Sequence, residues 1–399
     1  MDQVAFSWLV YDMTHSTVHL ALVNVCRAVP ILAFTLFAGV IADRVDRRRM
    51  MVISQVVMMA IALVLSALLT TGQLVLWMVF AIATARGIVN SFNQPARQAL
   101  ISELVPQEDL PSAIALNSTT FNLSKVFGPA LSGVLIATIG INEAFYLNTV
   151  SIGIALYCLA LMSFPAPEPR VKSSKSMLGD LMAGIAYLQQ EKALRTLVIL
   201  ALVPMVLGQP YQTMLTVFAR DVFESGSMGL GVLQSTAAIG AMFGIFFVAS
   251  SKTARFNLQM IVGLGVYGLA LTLFAMSPSM AFALPLLLVV GLSQQTYQTS
   301  NNTLLQMNVA PEYRGRVLST LFLQRGMVPL GTMFAGLATE AFGPRWAVGG
   351  MAVALLAIAI LAAPFVLSSL KSIGVAGLRE SGGDGRPLGR SVDAGRADA

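Results

Sequence analysis

Long apolar segments, separated by short polar interruptions, recur along the 399 residues of this chain. A helix needs roughly 20 apolar residues to cross the hydrocarbon core of a bilayer. Hydrophobic residues make up 56% of the chain and charged residues 11%, a balance that a soluble domain of this length does not need to fill its core. We therefore predict an all-α integral membrane protein, with spans near 17–42, 50–71, 74–97, 112–139, 143–164, 196–219, 229–250, 257–276, 280–301, 316–340 and 345–369.

A short apolar stub, Met1 to Tyr11, precedes these spans. At ~1.5 Å per helical residue it is too short to cross a core of ~30 Å. We therefore expect the first helix to be incomplete. The basic start and the small-residue cleavage site of a signal peptide are both absent from this stretch.

Basic residues are distributed unevenly between the two sets of interruptions. One set, at 43–49, 97–110, 165–195, 251–256, 308–315 and after 370, holds nearly all of them, whereas the other set holds Arg220 and Arg345. The positive-inside rule places the first set in the cytoplasm of a bacterium, with the protein in its inner membrane. Aromatic residues do not interleave with these basic residues, so we expect lipid and not nucleic acid as the partner.

A dense charged turn separates the first two complete spans. It comprises Gly39, Asp43, Arg44, Asp46, Arg47 and Arg48. Asp43 would end a helix, where the macrodipole disfavours a carboxylate, so it requires a cationic partner or the N-terminus of another helix. The turn is therefore predicted to act as a latch on one conformation. The alternative is a plain topology anchor.

In residue types and spacing, this turn resembles the signature loop of the major facilitator superfamily, which has a second glycine where Asp46 stands. Arg86-Gly87 is similar to that family's second signature, whose arginine the family links to proton coupling. The run from Gly128 and Pro129 to Gly133 resembles the antiporter motif of helix five, although close helix packing alone would also explain it. The stretch from Trp8 through Tyr11 and Asp12 to Thr14 resembles the end of the first helix in the branch that contains enterobactin and macrolide exporters.

The resemblance implies two six-helix bundles related by a pseudo-repeat, and the sequence repeats accordingly. Asn93 aligns with Gln298 and Gly39 with Gly244 at one offset. We predict an N-terminal bundle over 1–164, a cytoplasmic linker with an amphipathic helix over 165–195, a C-terminal bundle over 196–370 and a disordered tail over 371–399.

Four cationic residues, Arg27, Arg86, Lys125 and Arg325, fall inside apolar spans. Inserting such a residue at the centre of a membrane helix costs a free energy of ~2.5 to 3.5 kcal/mol. No carboxylate is expected at their depth, so we predict that they face a wet cavity that suits an anionic or oxygen-rich substrate. Alternatively, some of them only brace helices through backbone carbonyls. The cavity residues, cationic and amide, are Arg27, Asn90, Asn93, Lys125, Gln209, Gln212, Gln295, Gln298 and Arg325, beside Arg86.

The family resemblance implies an exporter driven by proton antiport, and the predicted coupling residues are Asp12, Arg86 and Glu103. The chain shows no nucleotide site, metal-ligand spacing or catalytic constellation, so we expect neither a cofactor nor an enzyme. We expect a monomer. The alternatives are an importer of a small metabolite on the same fold and a truncated paralogue that is inactive in transport.

If Asp43 latches one conformation, Asp43→Asn should abolish transport, because a neutral amide pairs only weakly with the neighbouring arginines. Changes at Arg44 or Arg48 should have the same effect. Efflux from cells, compared with the amount of protein in the membrane, measures this outcome. Normal efflux by Asp43→Asn would reduce the turn to a topology anchor.

Overall fold

The computed structural model describes residues 2–44, 47–106, 108–162, 192–251, 256–309 and 314–380. These residues are almost entirely helical, as the apolar runs predict. The first bundle consists of α1 (Asp2–Thr14), α2 (Thr17–Arg44), α3 (Arg47–Thr70), α4 (Leu76–Leu104), α5 (Leu110–Thr138) and α6 (Ile141–Leu161). The second consists of α7 (Lys192–Leu207), α8 (Tyr211–Val217), α9 (Gly226–Ala249), α10 (Phe256–Ala275), α11 (Met280–Asn308), α12 (Arg314–Phe342) and α13 (Pro344–Glu380).

The two bundles repeat the same helix pattern. The α4 and α11 helices both have 29 residues, as do α5 and α12. In the first bundle α2 and α3 pack on α4, and in the second α9 and α10 pack on α11 in the same way. The predicted fold class, two pseudo-repeat bundles of six membrane helices, is confirmed.

The span predicted over 196–219 is not one continuous helix. It breaks between α7 and α8, where the N–H groups of Gly208 and Gln209 both donate to the Pro204 carbonyl, at 2.9 and 2.7 Å. A π-helical turn, Phe218–Val222, then follows α8. Pro204 and Pro210 explain the break, because neither residue can donate the N–H that a continuous helix requires.

Two predicted segments, the linker and the tail, fall partly outside the described residues. The linker over 165–191, with its amphipathic helix, is not described, and neither is the chain from 381 onwards. The α13 helix continues to Glu380, and so it extends into the range 371–399 that we predicted as a disordered tail.

Large apolar side chains cover the outside of the bundles. Trp77, Phe246 and Leu361 are each at least 65% exposed, whereas Tyr267 and Phe274 lie fully buried between helices. Eight of the described helical spans are long and apolar enough to cross a membrane. An outer surface of this kind matches hydrocarbon and not water, so the chain is a multi-pass membrane protein.

The bundles meet mainly along two helix pairs, α5 with α9 and α2 with α12. At the first pair, a Cβ on Gly133 would lie 2.6 Å from the Ser227 carbonyl oxygen, and one on Gly231 would lie 2.7 Å from the Pro129 carbonyl oxygen. Ser235 donates to the Val126 carbonyl oxygen at 2.6 Å on the same interface. The helix-five run thus contains a glycine that lets two backbones come into contact.

Gly231→Val should separate α5 from α9, because the new side chain has no room against the Pro129 backbone. We expect a loss of about 1–3 kcal/mol, the usual cost of overpacking. Thermal unfolding in detergent measures it. The matched control is Gly265→Val on α10, where an added Cβ meets no atom within 4 Å. Equal unfolding temperatures for the two variants would contradict the proposed role of this contact.

Candidate functional site

Arg86 and Arg27 lie on neighbouring helices whose backbones touch. A Cβ on Gly87 would collide with the Arg27 carbonyl oxygen, so α4 approaches α2 as closely as a helix can. The absence of a side chain at Gly87 therefore explains the pairing of arginine with glycine in this motif. The close contact between α4 and α2 places Arg86 in the interior of the first bundle, where its side chain and backbone together are only 4% exposed.

Asp2 is the ionic partner of Arg86. Its Oδ2 atom lies 3.0 Å from Arg86 Nη1, and Asn148 Nδ2 donates to its Oδ1 atom at 3.3 Å. The ring of Phe6 packs under the guanidinium, 4.9 Å from its Cζ atom. The buried Arg86 guanidinium is therefore held by a carboxylate and by an aromatic ring.

Sequence reasoning missed Asp2. We expected no carboxylate to pair with the cations inside the spans, and this expectation is wrong for Arg86. It failed because the stub was judged only by its length. In the structure, α1 packs against α2, α5 and α6, and Val4, Phe6 and Val10 are buried. The available signal was an acid at the start of an apolar helix, in a chain with an arginine inside its fourth helix.

The other two predicted coupling residues lie elsewhere. Asp12 stands near the end of α1, is exposed, and forms an ion pair with Arg220 of the second bundle. Glu103 is in the last turn of α4, and its side chain lies outside those described.

The charged turn joins α2 to α3, with α2 ending at Arg44 and α3 beginning at Arg47, as predicted for a turn between two spans. Arg48 Nη2 donates to the Ala160 carbonyl oxygen of α6 at 3.3 Å. The rest of the predicted latch lies outside the described side chains, namely Gly39, Asp43, Arg44, Asp46 and Arg47.

The predicted cavity cations differ in their surroundings. Arg27 is half-buried and interacts electrostatically with both Asp2 and Arg86. Lys125 is exposed on α5, with its Nζ atom 4.7 Å from the centre of the Phe121 ring. Arg325 lies on α12, and its side chain is outside those described. The structure therefore brings Arg27, and not Lys125, to the Asp2–Arg86 pair.

The predicted amides lie on α4, α8 and α11 and at the α7–α8 break. Gln295 donates to Thr299 of its own helix at 3.1 Å. One residue before it, Gln294 accepts a hydrogen bond from Tyr211 at 3.3 Å, which joins α8 to α11. The remaining predicted amides are exposed or half-buried, and they are Asn90, Asn93, Gln209, Gln212 and Gln298.

The helix-five motif lies at the interface between the bundles. Gly133 is buried against α9, while Gly128 and Pro129 are half-buried on the same helix. No group of three or more His, Cys, Asp or Glu residues that could hold a metal ion occurs in the described part of the chain.

This arrangement of two helical bundles, an ionic cluster inside one of them and a broken helix in the other, is typical of membrane transporters. Among solved structures, the chain resembles a bacterial homologue of the human lysosomal transporter Spinster, with a TM-score of 0.73 and 16% identity over 93% of each chain. It also resembles the nucleoside transporter NupG, with a TM-score of 0.67 and 13% identity over 92% of this chain and 96% of that one. These similarities show the fold.

The family model of transmembrane secretion effectors, a branch of the major facilitator superfamily, matches residues 1–380, and the chain belongs to this family. It is 28% identical to the staphyloferrin A transporter of Staphylococcus aureus over 348 residues, 86% of each chain. It is 24% identical to macrolide efflux protein A of Streptococcus pyogenes, over 86% of this chain and 85% of that one. It is 26% identical to the multidrug efflux pump Tap of Mycolicibacterium fortuitum, over 85% of each.

Removing one member of the Asp2–Arg86 pair should destabilise the protein more than removing both, because the remaining charge loses its partner. We expect Arg86→Met to lower the unfolding temperature and a second change, Asp2→Asn, to restore part of the loss. The coupling in this double-mutant cycle should be about 0.5–3 kcal/mol. Strictly additive effects on thermal unfolding would show that the two side chains do not interact.

Proposed function

We propose that this protein is a secondary active exporter that moves a small oxygen-rich molecule out of the cell in exchange for protons. The observation that carries this proposal is the Asp2–Arg86 pair, an ionisable carboxylate bound to a buried arginine inside the first bundle. A proton antiporter requires a group that gains and loses a proton at membrane depth. Asp2 replaces Asp12 as the proposed carrier, because Asp12 belongs to a contact between the bundles.

The burial of Arg86 supports this role. Its side chain is 5% exposed, and Asp2 is its ionic partner inside the first bundle. A proton on Asp2 removes the ionic part of this contact. Arg86 then has to find another acceptor inside a bundle of low polarity, which favours a rearrangement of the helices around it.

The charges around Asp2 also constrain the substrate. A substrate that competes with the proton must stabilise the ionised carboxylate, which hydroxyl groups do by donating hydrogen bonds. Oxygen acceptors of the same molecule would bind Arg27, the nearby half-buried cation. A negative group placed beside Asp2 would instead favour proton uptake, so any negative charge on the substrate would lie toward Arg27. Siderophores and macrolides, named for two of the relatives, are both oxygen-rich.

The distribution of basic residues supports the orientation that we propose. The sequence set that contains Arg48 and Arg49, where α3 begins, holds nearly all of the basic residues, whereas Arg220 and Arg345 lie at the opposite end of the bundles, where α1 ends and α2 begins. We call this opposite end the Thr14 end. The positive-inside rule places Arg48 and Arg49 in the cytoplasm and the Thr14 end outside. Export is then movement toward the Thr14 end.

Asp2→Asn should abolish transport driven by a proton gradient, because the amide cannot carry the proton. The assay uses inside-out vesicles loaded with a pH-sensitive dye, with erythromycin and staphyloferrin A as probes. The unaltered protein should accumulate at least one probe and release protons from the vesicle as it does so.

The matched control is Glu108→Gln, a change in an exposed carboxylate of the α4–α5 connection that should transport normally. Probe uptake by Asp2→Asn at the unaltered rate, with the same proton movement, would show that Asp2 is not the carrier. Proton movement in the same direction as the probe would exclude antiport.

A further inference from the structure

Two side chains at the end of α1 bind the second bundle at the Thr14 end. Arg220 Nη1 pairs with Asp12 Oδ1, and the Tyr11 hydroxyl donates to Asp221 Oδ2. Both partners from the second bundle belong to the π-helical turn that follows α8. The two contacts therefore join one short helix of the first bundle to one short turn of the second.

The π-helical geometry of this turn explains why consecutive residues both reach α1. The Phe223 N–H donates to the Phe218 carbonyl at 2.8 Å, which closes a wider turn than an α-helix has. Arg220 is further placed by two aromatic rings of α1, since its Cζ atom lies 5.8 Å from the ring centre of Trp8 and 6.0 Å from that of Tyr11. Isolated π turns of this kind are frequent at functional sites.

The turn is also anchored within its own bundle. Phe218 lies 4.9 Å and Phe223 lies 6.4 Å from the ring centre of Phe274, which is fully buried on α10. Arg220 and Asp221 are thus presented to α1 by a packed aromatic base. A movement of the second bundle would carry both residues with it.

A second set of contacts closes the same end between α2 and α12. Glu340 accepts hydrogen bonds from the Ser16 hydroxyl and, at 3.2 Å, from the Val18 N–H. Thr17 donates to the Gly336 carbonyl at 2.8 Å. In this conformation the Thr14 end is therefore tied between the bundles at two places.

We propose that Tyr11, Asp12, Arg220 and Asp221 form a latch, here called the α1 latch, that holds the Thr14 end closed and opens in each transport cycle. Alternating access requires the bundles to separate at this end, and these contacts cannot persist when they do. Asp12 is 52% exposed and Arg220 25% exposed, so water can take over their charges and the pair can break readily. The latch thus biases an equilibrium between two conformations without locking it.

The test measures the opening of the Thr14 end directly. Spin labels are attached to Gln73→Cys and Ser279→Cys, exposed positions in loops of the two bundles, with Cys26 and Cys158 changed to Ser. Pulsed EPR distances are recorded in nanodiscs without substrate or proton gradient. This measurement therefore gives the same result whether or not the protein is a proton antiporter. The vesicle assay of antiport, in turn, does not depend on the α1 latch.

We expect Arg220→Gln and Tyr11→Phe each to raise the population with the longer distance about two- to fivefold, the effect of losing one partly exposed contact. The combined variant should raise it further. Exchanging the charges, Asp12→Arg with Arg220→Asp, should return the population toward that of the unaltered protein. Tyr11→Phe removes a single oxygen atom, so it carries the test if an arginine variant does not fold.

The matched control is Glu224→Gln, a change in an exposed carboxylate three residues after Asp221, which should leave the distances unchanged. Identical distance distributions in Arg220→Gln, Tyr11→Phe and the unaltered protein would overturn the proposal. A shift in Glu224→Gln as large as that in Arg220→Gln would also overturn it, because the effect would then come from surface charge and not from the latch.

Discussion

The lack of water inside a bilayer determines most of this structure, because a polar group buried there can be stabilised only by partners within the protein. In the helices, the backbone N–H groups donate hydrogen bonds to backbone carbonyls of the same helix. At the α7–α8 break, the Pro204 carbonyl accepts two N–H groups where proline has disrupted the helix. The Nη1 atom of Arg86 has Asp2 as its partner and the ring of Phe6 packs under the guanidinium, whereas the buried Nε atom of Arg86 has no hydrogen-bond partner among the described residues. The Asp2 carboxylate thus supplies the partner that the Arg86 charge would lack in lipid.

The interface between the bundles meets a different requirement, since in the transport cycle that we propose it must hold the protein together and still allow movement. Lipid is as apolar as the helices, so close backbone contact supplies much of the attraction. Gly133 and Gly231 provide that contact between α5 and α9, and Ser235 adds a hydrogen bond to a backbone carbonyl. A small residue buries little and leaves few interlocking side chains, which suits two surfaces that rock against each other.

The short helix α1 connects the two proposed elements of the transport cycle. Asp2 contacts α4 and α6 of its own bundle, whereas Tyr11 contacts the second bundle. Nine residues at about 100° each make about two and a half turns of the helix, so these side chains point to opposite faces. Proton uptake at Asp2 would loosen one face of α1, and the α1 latch holds the other face. One rigid helix can therefore link the ionic site to the closure of the Thr14 end.

The sequence by itself determined the membrane helices, the turn between α2 and α3, the repeat of the bundles and the arginine inside α4, because each is encoded in local composition and spacing. Only the tertiary structure decided that Asp2 meets Arg86, that Gly133 meets Gly231 and that Arg220 meets Asp12. The periodicity of a helix shows which residues share a face. Which faces meet depends on how helices distant in the sequence pack, and no local pattern contains that information.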